Sequence, residues 1–344
     1  MANVYFTKNI SPQSVSYLFD KAFPKLIDKG DITAVKVHFG EYGNKTHIGP
    51  QYAREIVKKI KETGAKPFVT DSNALYKGHR HNAVDHLENA RLNGFTYEFL
   101  GAPVIIADGL HGHDSRDIDI NKKHFKSAKI ASAIAESNSI VFATHFKGHM
   151  LGGFGGSIKN IAMGCASRAG KQQQHSTVKP TVDSNKCIKC KACGKWCPEN
   201  AISYQKGPAF IDQKKCVGCN ECVLSCPTSA IAVRWDTPNK DFQERMAEYA
   251  IAATKDKRCA FFNFLLNITA HCDCMADAGK PIMEDVGIFA SSDPVSIDAA
   301  CLDYIIKLKG NNIFEKIHGF DNTHQLVYGE SIGLGSRKYK LILI

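Results

Sequence analysis

The chain has 344 residues and a formal net charge of +10, with 44% hydrophobic and 23% charged residues. That composition excludes disorder, collagen-like repeats and coiled coil, and the length suits two domains or one large domain carrying a smaller one. No run approaches ~18 consecutive apolar residues, and the start Met1-Ala2-Asn3-Val4-Tyr5-Phe6 lacks a basic stretch followed by an apolar core, so neither a membrane span nor a signal peptide is expected and the protein reads as cytoplasmic.

Thr33-Ala34-Val35-Lys36-Val37 reads as a strand, followed by a loop over Gly40 to Asn44. Gln51 to Thr63 has helical spacing, with Ala53, Ile56, Val57 and Ile60 on one face; Pro50 suits its first turn and Gly64 ends it. Pro67 to Asp71 is a second strand and Asn82 to Asn93 a helix. Val104-Ile105-Ile106 is a third strand, Ser127 to Glu136 reads as helix, and Ser139 to Thr144 as strand. Ser157 opens a further helix. Later, Lys240 to Ala253 reads as helix, and Cys259 to Ile268 and Val286 to Phe289 as strands. Asp293 to Lys307 is a helix opened by an N-cap Asp and a Pro at its first position. The alternation predicts an α/β fold, with a mainly parallel sheet and helices on both faces. Residues 1–179 would begin that domain and 237–344 complete it. An α+β unit would be inserted at 180–236.

The insert is expected because of its cysteines. The chain has 13, an odd number that fits a disulfide framework poorly, and eight lie between 187 and 226. They read Cys187-x2-Cys190-x2-Cys193-x3-Cys197-Pro198 and Cys216-x2-Cys219-x2-Cys222-x3-Cys226-Pro227. The segment resembles the bacterial ferredoxins with two [4Fe–4S] clusters. Three thiolates two residues apart on a tight loop reach three corners of one cubane. The fourth cysteine starts the next segment, where the chain has turned away, and serves the other cluster. Cys187, Cys190, Cys193 and Cys226 would hold one cluster, and Cys216, Cys219, Cys222 and Cys197 the second. Paired zinc knuckles compete with this reading, but zinc needs neither a third cysteine at the same spacing nor the Cys-Pro ending twice over. Lys186, Lys189, Lys191 and Lys195, with Trp196, form a basic rim suited to docking an acidic ferredoxin or flavodoxin. Solvated surface lysines are the plainer alternative. No basic helix or recognised motif supports nucleic-acid binding.

In parallel α/β sheets, ligands bind beyond the carboxyl ends of the strands. After the first strand come His38, Glu41, Asn44 and His47; after the second, Asp71, Ser72, Asn73, Tyr76, Lys77, His79, Arg80 and His81. After Ser139–Thr144 come His145, Lys147 and His149, then Gly152, Gly153, Gly155, Gly156, Ser157 and Lys159. Neither a Walker motif nor GxGxxG is present, so ATP and NAD receive no support. His145, His149, Lys159, His38 and His79 are the candidate catalytic residues. Gly152, Gly153, Gly155, Gly156 and Ser157, with Lys147 and Arg80, are candidates for holding an anion or cofactor at a helix N-terminus. The competing reading is a close helix–sheet crossing that needs small residues. His271, Cys272 and Cys274 follow another strand end and could hold an additional metal or supply a redox thiol pair, unless they are inert buried thiols. Cys259 and Cys301 are expected in the core, and Cys165 is unassigned.

The combination of His38-Phe39-Gly40-Glu41, Asp71-Ser72-Asn73, His145-Phe146-Lys147-Gly148-His149, Gly153-Phe154-Gly155-Gly156-Ser157-Ile158-Lys159-Asn160 and Asp293-Pro294-Val295 resembles the domain-of-unknown-function 362 family, whose members often carry such a ferredoxin insert. The likeness runs over nearly the whole chain and implies little mechanism. His149 with Gly153 to Lys159 is also similar to a segment of the nickel-pincer lactate racemases, where the lysine anchors the cofactor; Met163-Gly164 stands where proline-glycine is expected. That likeness implies a location for the site rather than its chemistry.

The favoured function is a ferredoxin-coupled oxidoreductase, anaerobic in habit, that passes electrons through two [4Fe–4S] clusters to an anionic small molecule or cofactor. The alternatives are a non-catalytic electron-transfer module docking a redox partner, a racemase- or lyase-like enzyme with structural clusters, and a handler of metal clusters using Cys272 and Cys274.

Overall fold

Eight runs rich in β-branched, aromatic and small apolar residues pair into one sheet. They are β1 (Ala2–Thr7), β2 (Ile32–Val37), β3 (Lys66–Asp71), β4 (Val104–Ile106), β5 (Ser139–His145), β6 (Arg258–Leu265), β7 (Gly287–Ser291) and β8 (Tyr339–Leu343). This computed structural model describes the whole chain except residues 177–178, 206 and 233–236, so the expected end of the insert at 236 lies outside the described residues. The order is β8-β1-β7-β6-β5-β2-β3-β4, and only β7 runs antiparallel to its neighbours. The fold is α/β with a mainly parallel sheet.

Helices cover both faces: α1 (Gln13–Ala22), α2 (Pro50–Glu62), α3 (Ala83–Leu92), α4 (Ser157–Gly164), α5 (Arg168–His175), α6 (Asn239–Thr254) and α7 (Pro294–Lys309). On β5, Ile140 and Phe142 join the core under α4, α6 and α7, while Val141 and Ala143 join the core under α1 and α2. A strand buried on both faces reads as a continuous apolar run rather than an alternation. From β2 the chain steps outward to β3 and β4, then resumes on the other side of β2 with β5 and β6. That reversal opens a crevice beyond the carboxyl ends of β2 and β5.

Residues 127–136 depart from the helix expected there. Ser127–Ala131 is a strand paired antiparallel with Ser115–Asp119, followed by one helical turn over Ser132–Ala135. Ala128 and Ile130 face the core while Ser127 and Lys129 face outward, a two-residue period hidden by small side chains. β6 ends at Leu265, three residues short of the expected Ile268, and β7 continues to Ser291.

The cysteine-bearing segment leaves after α5 and returns at α6. It has a small core of its own, with Ile211, Val223, Ala230 and Ile231. Its two halves are related by an approximate twofold. Val182 bridges Ile231 as Ile211 pairs with Ile202, and Asp183 donates to Ala230 O as Asp212 donates to Ala201 O. Lys189, Lys191 and Asn200 have φ of 57°, 61° and 48°; the matching Gly218, Asn220 and Ser229 have 72°, 63° and 53°. Left-handed backbone at three matching positions curls both cysteine loops in the same way.

One buried carboxylate ties the last third of the chain to α4. Asp298 of α7 accepts from the backbone N–H of Ser157 (2.7 Å) and Ile158 (2.9 Å) and from Asn263 Nδ2 of β6 (2.7 Å). Asp298→Ala would strand three buried donors, so a loss of about 2–4 kcal/mol is expected from urea denaturation, with Asp298→Asn intermediate.

Candidate functional site

Eight of the thirteen free thiols gather at two hollows in the cysteine-bearing segment. Cys187, Cys190, Cys193 and Cys226 line one; Cys197, Cys216, Cys219 and Cys222 line the other. Apolar residues close each hollow, Val182 and Ile231 in the first and Ile202 and Ile211 in the second. The backbone N–H of Ala201 donates to Cys197 Sγ and that of Ala230 to Cys226 Sγ, both at 3.2 Å. Such bonds stabilise thiolate and suit metal-bound sulfur. Among the described residues, one set of three potential ligand atoms lies within 4.8 Å of one another: His124, Asp241 and Glu244. Four thiols around an apolar-walled hollow, with backbone N–H groups aimed at sulfur, fit a bound metal centre.

The His124 set is already satisfied by protein. Glu244 accepts from Lys123 (2.5 Å), His124 (2.6 Å) and His324 (2.9 Å).

The second feature is a cleft of about 520 Å³ beyond the carboxyl ends of β2, β3 and β5. Its wall holds Lys36, Arg80, Lys147 and Lys171, all buried, and the half-buried Lys159. Buried cations need counter-charges, and most have one. Lys36 Nζ lies 2.9 Å from Asp71 Oδ1, and Arg80 Nε lies 3.1 Å from Glu41 Oε2. Burial would raise Asp71, but Lys36, His38, His86 and Arg80 overcome it and hold the carboxyl far below its usual range. Asp273, fully buried, lies 2.7 Å from His145 Nδ1 and 3.6 Å from Lys147 Nζ. Lys159 Nζ donates to Cys272 Sγ at 3.2 Å. Lys171 Nζ has only neutral partners, Ser72 Oγ (2.6 Å) and Ala166 O (2.9 Å), and burial pushes it down to about 8.

The histidines divide by role. His145 turns Nδ1 to Asp273 and Nε2 to Leu266 O (2.7 Å), so neither nitrogen is left for a ligand. His149 Nδ1 accepts from Gly152 N–H (3.0 Å) and His38 Nδ1 from Gly40 N–H (2.9 Å), which leaves Nε2 as the protonated nitrogen of each neutral ring. Burial, then the charge of Lys159 at His149 and of Arg80 at His38, holds both well below the ordinary histidine value. Two neutral imidazoles thus line a cationic cleft.

Of the expected residues, His38, His145, His149, Lys159, Lys147 and Arg80 line the cleft. His79 does not: it is exposed and stacks on Tyr42 with ring centroids 4.5 Å apart. The glycine segment does not hold an external anion either, because Asp298 already occupies the N-terminus of α4, which begins at Ser157. A Cβ at Gly156 would sit 2.2 Å from Asp298 Oδ1, and at Gly153 (φ 75°) 2.1 Å from Asn322 Cβ. At Gly155 it would meet Lys159 Cδ at 2.9 Å, and at Gly152 the carbonyl of Phe154 at 3.1 Å. Close crossing explains all four glycines. His271 is exposed, its ring 6.2 Å from that of His318, and does not converge with Cys272 and Cys274. Cys301 and Cys165 are fully buried, and Cys259 is partly so.

The sequence reading missed Lys36, Lys171, His175 and Asp273. Lys36 carried a signal, a lysine inside a strand otherwise apolar on both sides.

The cysteine-bearing segment packs against this cleft. Tyr76, in the cleft wall, donates to Cys274 O (2.9 Å), and the next residue, Lys77, donates to Cys226 O (2.9 Å). Asn220 Nδ2 donates to Gln172 Oε1 (2.6 Å) on α5, and Arg168 pairs with Glu221.

The family model described as Domain of unknown function (DUF362) matches residues 33–303. No curated protein matches the chain. Among solved structures the chain is similar to the lactate racemase apoprotein from Thermoanaerobacterium thermosaccharolyticum, at 12% identity and a TM-score of 0.44, covering 88% of this chain and 56% of that one. It is similar as well to a structural-genomics target from Thermotoga maritima, at 10% identity and a TM-score of 0.45, covering 86% of this chain and 59% of that one. The chain thus spans less than two thirds of either protein. Among the described residues no helix is long and apolar enough to cross a membrane.

Because burial brings Lys171 to about 8, its charge is present below that pH and lost above it. Calorimetric affinity of the cleft for a dicarboxylate such as malonate should fall between pH 7 and 9, by up to about tenfold per unit. Lys171→Met should weaken binding at pH 7 and remove that step.

Proposed function

The chain belongs to the DUF362 family, and from that premise we propose that it is an iron–sulfur oxidoreductase that delivers electrons to an anionic small molecule held in the cleft. The observation that carries this reading is the contact between two four-cysteine hollows and the wall of a cleft lined by five cations, four of them buried. Cys187, Cys190, Cys193 and Cys226 would hold one [4Fe–4S] cluster, and Cys197, Cys216, Cys219 and Cys222 the other. Such clusters supply single electrons.

The protein does the rest. Lys147, Lys159 and Lys171 attract and orient the anion, and their protein counter-charges leave the cleft net positive. His149 and His38 each present a neutral Nε2–H that donates a hydrogen bond to the anion and polarises it, while protons reach the anion from solvent at the cleft mouth. His145 is a positioning residue that keeps Asp273 ionised and so fixes Lys147. Lys186, Lys189, Lys191 and Lys195 are exposed around the first hollow and favour encounter with an acidic, soluble ferredoxin or flavodoxin. A bare electron carrier would have no use for the buried cations and neutral imidazoles, which is why the enzyme reading is preferred to the docking module. The 180–236 segment is, on this reading, an inserted ferredoxin-like domain.

Anaerobic protein reduced by dithionite should be reoxidised stoichiometrically by its substrate when anionic small molecules are screened by visible absorbance. His149→Ala and Lys147→Met should slow that reoxidation by about 100-fold or more while leaving reduction by dithionite unchanged. Variants that fold, as judged by circular dichroism, and reoxidise at the parent rate would contradict the role of the cleft.

A further inference from the structure

Three features outside the proposed chemistry were candidates for a second role: the His124–Asp241–Glu244 cluster, the buried His86 beside Asp71, and the Cys272–Cys274 pair. The first is saturated by Lys123 and His324. The second lies 3.8 Å from Asp71 Oδ2 and is not among the residues that line the cleft. The third opens onto the cleft.

Cys272 is buried, 4% exposed, and its Sγ accepts a hydrogen bond from Lys159 Nζ at 3.2 Å. Cys274 lines the cleft, and one residue, Asp273, separates it from Cys272. The backbone of this pair is joined to the cysteine-bearing segment through two consecutive residues, Tyr76 bonding Cys274 O and Lys77 bonding Cys226 O. Among the described residues no third ligand converges on the sulfurs.

We propose that Cys272 and Cys274 form a redox-active dithiol–disulfide pair in the cleft wall, reduced by a low-potential one-electron donor acting through the two [4Fe–4S] clusters. The inference rests on the cluster reading for its source of electrons. Reduction breaks the S–S bond: two electrons, one from each cluster, and one proton leave Cys272 as thiolate and Cys274 as thiol. Reoxidation remakes the bond and passes two electrons and that proton to an anionic two-electron acceptor in the cleft. A pair of one-electron centres thereby serves a two-electron reaction.

Two physical arguments support an easily reduced bond. With one intervening residue, closing the disulfide forces it from relaxed geometry, and strained disulfides are the more oxidising ones. The reduced state is stabilised in turn: Lys159 Nζ donates to Cys272 Sγ at 3.2 Å, and the neighbouring Cys274 thiol with Lys159 and Lys147 outweighs burial to hold the Cys272 thiol well below its ordinary value.

The test uses the full-length protein, purified anaerobically with its iron and sulfide counted, and equilibrated in glutathione redox buffers. Differential alkylation and mass spectrometry then report each cysteine. A Cys272–Cys274 disulfide should form reversibly, and Lys159→Met should shift the equilibrium toward disulfide at least tenfold, ~30 mV. Oxidised protein should take up about four electrons per chain from dithionite, and Cys274→Ser or Cys272→Ser about two. Two free thiols across the whole range in protein with full iron would overturn the inference and leave the oxidoreductase reading standing. A disulfide in freshly reconstituted protein that binds no iron would overturn the coupling together with the cluster reading.

Discussion

The cleft depends on pairing charge that water no longer solvates. An ammonium or carboxylate taken out of water costs several kcal/mol unless a counter-charge and hydrogen bonds replace its hydration. Lys36 with Asp71, Arg80 with Glu41, Lys147 and His145 with Asp273, and Lys159 with Cys272 meet that requirement within one wall. Each pair joins a parallel strand, or the loop that follows it, to another part of the sheet end. The pairs therefore hold β2, β3, β5 and β6 in register at their carboxyl ends, where Lys36 is level with Thr70 and Phe142, and Phe264 with His145. The same network sets the cleft's chemistry, since neighbouring cations keep His38 and His149 neutral.

The cysteine-bearing segment solves a different problem. Its core is too small for ordinary hydrophobic stabilisation, and eight thiols gathered at two hollows are where metal would provide what apolar burial does not. Its repeated left-handed residues make the loops tight, and its internal twofold exchanges one cysteine between halves, so neither hollow is complete without the other. Contact with α5 and the Tyr76–Lys77 loop then brings those hollows against the cleft.

Much of this was legible in the sequence because two kinds of signal are local. Apolar runs of strand length and helical spacing with Pro or Asp at the first turn located β2 to β7, α2, α3, α6 and α7. The polar strand ends located the cleft, because a parallel sheet leaves its ligand-binding crevice there. What stayed hidden was tertiary. Glycines at 152, 153, 155 and 156 look the same whether they admit an anion or a neighbouring side chain, and only the arrival of Asp298 from more than a hundred residues away decides it. His79 sits in a polar loop with Arg80, yet the chain turns it outward while Arg80 turns in. Lys171 and Asp273 become site residues because of helices and loops whose packing no local pattern records. The strand at Ser127–Ala131 was masked by alanines, which suit either period.

The account stands or falls on whether the two hollows hold cubane clusters. Anaerobic iron, acid-labile sulfide and zinc analysis, with electron paramagnetic resonance of the reduced protein, addresses that directly. About eight iron and eight sulfide per chain, with signals from two interacting centres, is the predicted result. About two zinc per chain and no sulfide in freshly purified protein would contradict it.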